Sequence, residues 1–148
     1  ASVGEKDFAR AMFAPFGLQL IFSKVAIKPG KPVWFGRAGG RWIVGLPGNP
    51  TSAIVTARLF LAPLIAGLAG RDAAAMLNWR EASLTTPLKP CGDRETFERG
   101  RLVEGGVAIL GTQDSGSQRA LASADVLIRR RPGTPALAAG ETADILDF

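Results

Sequence analysis

The chain contains no histidine, no tyrosine and a single cysteine, Cys91. Without histidine, this chain cannot build a Ser-His-Asp triad, a Cys-His pair or a His-ligated zinc site from its own residues. One cysteine excludes an intramolecular disulfide and a four-thiolate metal site, and it fits a reducing, cytoplasmic setting. A secretory leader is not expected either, because the first ten residues hold Glu5, Lys6 and Asp7 and no apolar stretch. The most hydrophobic segment, residues 53–70, is interrupted by Arg58 and Pro63. It reads as a buried core helix rather than a membrane span, which wants ~20 predominantly apolar residues. What remains for chemistry is carboxylates, Lys and Arg, hydroxyls and backbone N–H groups, a set suited to oxyanions, phosphates and magnesium.

The 148 residues, 47% of them hydrophobic, suffice for one medium domain or two small ones with cores of their own. The net charge of +5 is uneven. Residues 1–72 carry nine Lys/Arg against three acidic residues, and residues 73–148 carry nine against ten. Such a shift supports two units, 1–72 and 73–148, the first facing an acidic ligand. Scattered lysines more commonly mean only a solvated basic surface, but Lys24, Lys28 and Lys31 are clustered.

That cluster lies in Lys24-Val-Ala-Ile-Lys28-Pro29-Gly30-Lys31-Pro32, a short cationic loop stiffened by proline. If the segment is extended, Lys24 and Lys28 project to one side, since positions i and i+4 of a strand share a face. A second rigid turn follows, Leu46-Pro47-Gly48-Asn49-Pro50, opening onto the apolar helix. Asn49 suits the N-cap and Pro50 the first helical position. The N–H groups of Thr51, Ser52 and Ala53 would then face whatever occupies the helix mouth, and such a mouth attracts oxyanions. Alone, the turn is more often an ordinary capped helix; a lysine loop one hairpin away strengthens the oxyanion reading.

Around these turns the hydrophobic period is informative. Residues 7–16 read as a short amphipathic helix ended by Gly17, and Leu18–Phe22 as a largely buried strand running on toward Val25 and Ile27. Residues 33–36 and 42–45 read as a hairpin with a Gly-rich loop. The helix from Thr51 to about Ala69 is apolar on nearly every face and should kink at Pro63. After a linker at 70–80 the period becomes two, with about five short strands that read as a small β-barrel or sandwich. Gly105-Gly106 marks a hairpin turn, and Gln118–Ser123 a helical turn. The run Arg129-Arg130-Arg131 reads as a solvated strand end rather than a nucleic-acid patch, lacking interleaved aromatics.

The lysine loop and the Leu-Pro-Gly-Asn-Pro turn, in this order with a hairpin between, resemble the molybdopterin molybdenumtransferases, the MoeA and gephyrin E-domain family. Ala1-Ser2-Val3-Gly4-Glu5-Lys6-Asp7 is similar to a further family turn, and Gly116-Ser117 to a Gly-Ser pair in its last domain. The resemblance implies an α/β plus all-β chain: the C-terminal part of a three-layer, molybdopterin-binding-like α/β domain, then a small β-barrel. It implies molybdenum cofactor biosynthesis, the insertion of molybdate into adenylylated molybdopterin, in a magnesium-dependent step. Asp7 would be the metal-side carboxylate, with Lys24 and Lys28 neutralising phosphate or molybdate. Ser2, Gly4, Lys31, Pro47, Gly48, Asn49, Pro50, Ser52 and Ser117 would line the substrate site. The family site lies between domains and across a homodimer, without nucleic acid or membrane. The chain is therefore expected to be the C-terminal portion of such an enzyme and incomplete by itself. A non-catalytic dimerisation or scaffold module of the gephyrin type is the alternative.

Overall fold

The computed structural model describes residues 8–111 and 121–148. Its first half builds a three-stranded antiparallel sheet from β1 (Gln19–Ser23), β3 (Trp34–Ala38) and β4 (Arg41–Gly45), in the order β1-β3-β4. Gly39 and Gly40 form the two-residue turn joining β3 to β4, both with positive φ (53° and 77°). That is the geometry a tight hairpin needs to follow the strand twist. Trp34 is 1% exposed, and its ring lies where a Cβ on Gly45 would stand, 1.9 Å away.

Three expectations for this region fail. Residues 11–16 form a short helix as read, but a 3₁₀ one with no buried residue and so no core-facing side, although Gly17 does cap it in the left-handed region (φ 67°). β1 is an edge strand, not a buried one: Leu20 and Ile21 are exposed and only Phe22 is half-buried. Nor does β1 run on toward Ile27. Lys24 takes φ 61°, which breaks the strand, and Ile27–Lys28 becomes β2 in the other sheet, parallel to β6 (Glu95–Val103).

The helix runs from Pro50 to Leu68, 19 residues long and apolar enough to cross a membrane by length and composition alone. It consists of α1 (Pro50–Thr56), a π-turn (Ala57–Leu61) and α2 (Ala62–Leu68). Pro63 explains the wide turn. Having no N–H and a ring that clashes with the carbonyl four residues back, it is accommodated where the helix loosens. Val55 and Leu59 are buried on one side, while Ile54, Ile65 and Leu68 remain exposed.

The second sheet has the order β2-β6-β8-β9-β5, with β7 also on β6. Its strands are β5 (Arg80–Ser83), β6 (Glu95–Val103), β7 (Gly106–Ile109), β8 (Val126–Arg130) and β9 (Thr142–Asp147). The hairpin turn is Glu104-Gly105, one residue earlier than read, because Gly106 already pairs with Val103. A bridge between Leu84 and Val107 brings the chain after β5 onto β7. This closes the strands into a small barrel and, among the described residues, leaves no long free edge there.

Both faces of this sheet are covered, which is why Val126-Leu127-Ile128 reads as a continuous apolar run rather than an alternation. Val126, Ile128, Ile145 and Val107 fill the barrel interior. Leu127, Leu146 and Phe97 point the other way and pack with Ile27, Val33, Val55 and Leu59 from the first half. Each fully buried aliphatic side chain there contributes roughly 1.5–3 kcal/mol, so the two halves of the sequence stabilise one another. The linker joins this core too: Trp79 packs on it and stacks on Phe97 at 6.0 Å.

Candidate functional site

Where β2 docks on β6, the lysine loop is carried out of the first sheet and laid against the barrel. Lys28 is in register with Thr96 of β6. β2 and β7 share one edge of β6, pairing at 95–96 and 100–103, and leave a gap between them. A cavity of about 550 Å³ opens there, lined by Lys28, Pro29, Gly30, Lys31, Pro32, Ser52, Arg94, Thr96, Phe97, Glu98 and Arg99. A smaller one of about 170 Å³ adjoins it and shares Lys28, Arg94, Thr96 and Glu98. Lys89, Pro90, Cys91, Gly92, Asp93 and Arg130 complete its wall. Six cations and two carboxylates thus surround the pair of cavities.

Gly30 holds the loop in place. It has φ 114°, and a Cβ there would stand 2.3 Å from Cγ2 of Thr56. Only glycine lets the loop approach the helix this closely. Thr56 is itself fixed, its hydroxyl donating to the Ser52 carbonyl at 2.7 Å, so the loop and the helix start form one wall.

The structure brings together only part of the residues named from the sequence. Lys28, Lys31 and Ser52 line the cavity. Lys24 does not, because the left-handed turn at Lys24 destroys the extended geometry that would have put it on the face of Lys28. Pro47, Gly48, Asn49 and Pro50 shape the helix start without lining the cavity. The helix mouth is also less open than expected. The Ser52 N–H donates to Asn49 Oδ1 at 3.1 Å, and the Ala53 N–H to the Asn49 carbonyl at 2.8 Å. The cap therefore satisfies two of the three N–H groups assigned to an anion. Ser2, Gly4, Asp7 and Ser117 lie outside the described residues, as does part of the helical turn at Gln118–Ser123.

Sequence reasoning missed the barrel's contribution: Arg94, Thr96, Glu98 and Arg99. Arg99 is 1% exposed. A signal for it existed, since Arg99 follows Phe97 by two residues and so shares the buried face of β6. The solvated reading of the arginine run is likewise overturned. Arg130 is 2% exposed, donating to the carbonyls of Lys89 at 3.0 Å and Pro135 at 2.6 Å. Arg129 pairs with Glu95 and lies over the Trp79 ring at 5.1 Å. Only Arg131 is a solvated strand end.

Glu98 is the carboxylate that both cavities share. Thr96 is opposite Arg130 across the β6–β8 ladder and Glu98 is opposite Ile128, which places Glu98 and Arg130 diagonally on one face. Arg130 approaches Glu98 Oε2 at 4.0 Å. Burial pushes the Glu98 carboxyl above its ordinary value, outweighing the opposing pull of Arg130, Lys28 and Arg99. Magnesium wants several hard oxygen donors at once. The described residues give the larger cavity one carboxylate among four cations, a set that favours anions; Asp7, the expected metal-side carboxylate, lies outside them. No three Asp, Glu or Cys side chains converge as metal ligands among the described residues. The arrangement can instead bind an oxyanion and neutralise its charge.

A family model described as a probable molybdopterin binding domain matches residues 1–67, and one described as the MoeA C-terminal region (domain IV) matches residues 81–148. The molybdopterin molybdenumtransferase of Haemophilus influenzae is 46% identical over 99 residues, covering 67% of this chain and 24% of that protein. The enzyme of the same name from Synechococcus elongatus is 35% identical over 147 residues, covering 97% of this chain and 36% of the relative. The molybdenum cofactor synthesis protein cinnamon of Drosophila melanogaster is 32% identical, covering 99% of this chain and 26% of its own length. The chain thus spans about a quarter to a third of the relatives it matches. A molybdopterin biosynthesis MoeA protein from Pyrococcus horikoshii shares the fold, with a TM-score of 0.79 over 95% of this chain and 34% of that one, at 24% identity. With one family region matched on each side of the linker, in the order relatives carry them along nearly the whole chain, the protein belongs to the MoeA family.

Proposed function

We propose that this chain serves molybdenum cofactor biosynthesis, its larger cavity holding an oxyanion during insertion of molybdate into adenylylated molybdopterin. The observation that carries this reading is the convergence of Lys28 and Lys31 from the loop with Arg94, just before β6, and Arg99 of β6 around one cavity. Lysine ammonium groups supply point charges, and arginine supplies a planar fork that matches two oxygens of a tetrahedral anion. Together they position the anion and offset its charge while a reacting partner is brought to it. The same chemistry accepts molybdate or the phosphates of the adenylylated substrate. Molybdate and pyrophosphate binding measured separately by calorimetry distinguish the two.

Lys28→Ala should weaken the bound oxyanion by about tenfold, since a hydrogen bond to a charged group is worth roughly 1.5–3 kcal/mol. Lys24→Ala should change affinity by less than about twofold beyond general screening, because Lys24 lies away from the cavity. Equal losses for both variants would mean that the loop acts through its overall charge, and the cavity assignment would fall.

A homodimer in the cytoplasm is part of the same proposal. Phe8, Met12, Phe16, Ile21, Ile65 and Leu68 are each more than half exposed, and apolar surface of this extent favours association. Assembly by itself is what the scaffold reading requires, so the oxyanion measurement is what separates enzyme from scaffold.

A further inference from the structure

Glu98 is out of place in an anion site. It is a carboxylate set among the cations meant for the ligand, and it lines both cavities. A negative charge at this position opposes every anion that enters. Its position is nevertheless built: Arg130, anchored on two backbone carbonyls, stands diagonally across the sheet from it. The Oε2 atom is buried and makes no hydrogen bond.

We infer that Glu98 is a specificity-determining residue of the oxyanion cavity, taking up a proton from solvent as the anion binds. Ionised, it acts as counter-ion to Lys28 and Arg130 while the cavity is empty. Protonated, it ceases to repel the ligand and offers an O–H donor, so the cavity gains a unit of positive charge and a hydrogen bond together. The only bond formed is the carboxyl O–H, its proton drawn from bulk solvent; no other covalent bond changes. The groups that face Glu98 are all cationic except one, and their pull opposes the proton until a bound anion offsets it. Lys28 comes from β2, Arg99 from β6 and Arg130 from β8, while Lys89, Asp93 and Arg94 come from the loop before β6. Asp93 is the exception, and it is directed toward Arg94 at 3.9 Å. Burial already biases Glu98 toward its neutral form, and an anion alongside adds to that bias.

The consequence is a preference by ligand charge. A dianion gains twice what a monoanion gains from neutralising Glu98, because Coulomb energy scales with the product of charges. The inference rests on the oxyanion reading of the cavity, and its test separates the two. Sulfate, which stays a dianion throughout, is titrated into the full chain by calorimetry in two buffers of different ionisation enthalpy, with perchlorate as the monoanion. The wild-type chain should take up a fraction of a proton per sulfate at neutral pH, and Glu98→Gln should take up none. Glu98→Gln should bind sulfate about tenfold more tightly and perchlorate about threefold more tightly. Glu98→Ala, which removes the charge but not by adding a donor, should fall between wild type and Gln for sulfate. Proton uptake undiminished in Glu98→Gln would overturn the inference and leave the cavity reading intact, provided Lys28→Ala still loses binding. Sulfate binding that is absent, or indifferent to Lys28→Ala, would overturn the cavity reading and this inference with it.

Discussion

Arg58, in the π-turn of the long helix, donates its Nε–H to the backbone carbonyl of Asp147 at 2.7 Å, tying the helix to the last strand of the barrel. Its second nitrogen, Nη1, donates to the Met76 carbonyl, also at 2.7 Å. One side chain thus fastens the first half, the linker and the C-terminal strand. Arg58 was, on sequence grounds, only an interruption in an apolar segment. The interruption is the tie.

Arg58→Ala should therefore lower unfolding free energy by about 1–3 kcal/mol, the cost expected for charge-assisted bonds to carbonyls that are partly reachable by water. Urea denaturation checks it, with the midpoint falling. Arg58→Lys should recover little, because an ammonium is a point charge without the guanidinium's fixed fork of donors.

Gly30→Ala should loosen the lysine loop. The new Cβ would meet Cγ2 of Thr56 in a backbone conformation (φ 114°) that L side chains rarely adopt. We expect a loss of about 1–3 kcal/mol in stability from the strained conformation, together with an oxyanion affinity lowered about as much as by Lys28→Ala. Thr56→Ser, removing the clashing methyl, should restore part of both in the double variant. Affinity unchanged in Gly30→Ala would show that the loop's close approach to the helix does not position Lys28.

The pH dependence of stability follows from Glu98. Its carboxyl lies above the ordinary value of 4.5 in the folded chain, so the folded state binds this proton more tightly than the unfolded state. That contribution to stability is fully present below pH 4.5 and is lost as pH rises through the folded value. Glu98→Gln keeps the shape without the titration. It should be more stable than wild type at about pH 7.5, and the difference should shrink toward pH 4.5. Denaturation midpoints of the two proteins that run parallel across this range would contradict the assignment.

Sedimentation equilibrium should return the dimer mass at micromolar concentration. The expectation rests on Ile21 at the sheet edge and on Ile65 and Leu68 on the helix, all more than half exposed. A well-folded monomer would remove the assembly proposal and leave the cavity untouched.

Much of the architecture was legible because it depends on near neighbours in the chain. Asn49 and Pro50 mark a helix start through bonds that span three or four residues, and Gly39-Gly40 dictates a tight turn through its own dihedral angles. The five barrel strands show themselves by their period of two between Gly, Pro and Asp turns. The cationic loop and the family motifs were likewise plain in the sequence.

What only the tertiary structure decided was which distant edges and faces meet. Ile27 and Lys28 leave the sheet that precedes them and pair with Glu95 and Thr96, a choice that no local pattern records. That pairing draws Lys28 away from Lys24 and into the company of Arg99 and Glu98. Arg130 looked like a surface charge because nothing beside it in sequence reveals the carbonyls of Lys89 and Pro135 that receive it. Helix starts, turns and strand periods are fixed by forces acting over a few residues. The charge and shape of the cavity depend on long-range strand pairing and shared burial, which the folded chain alone settles.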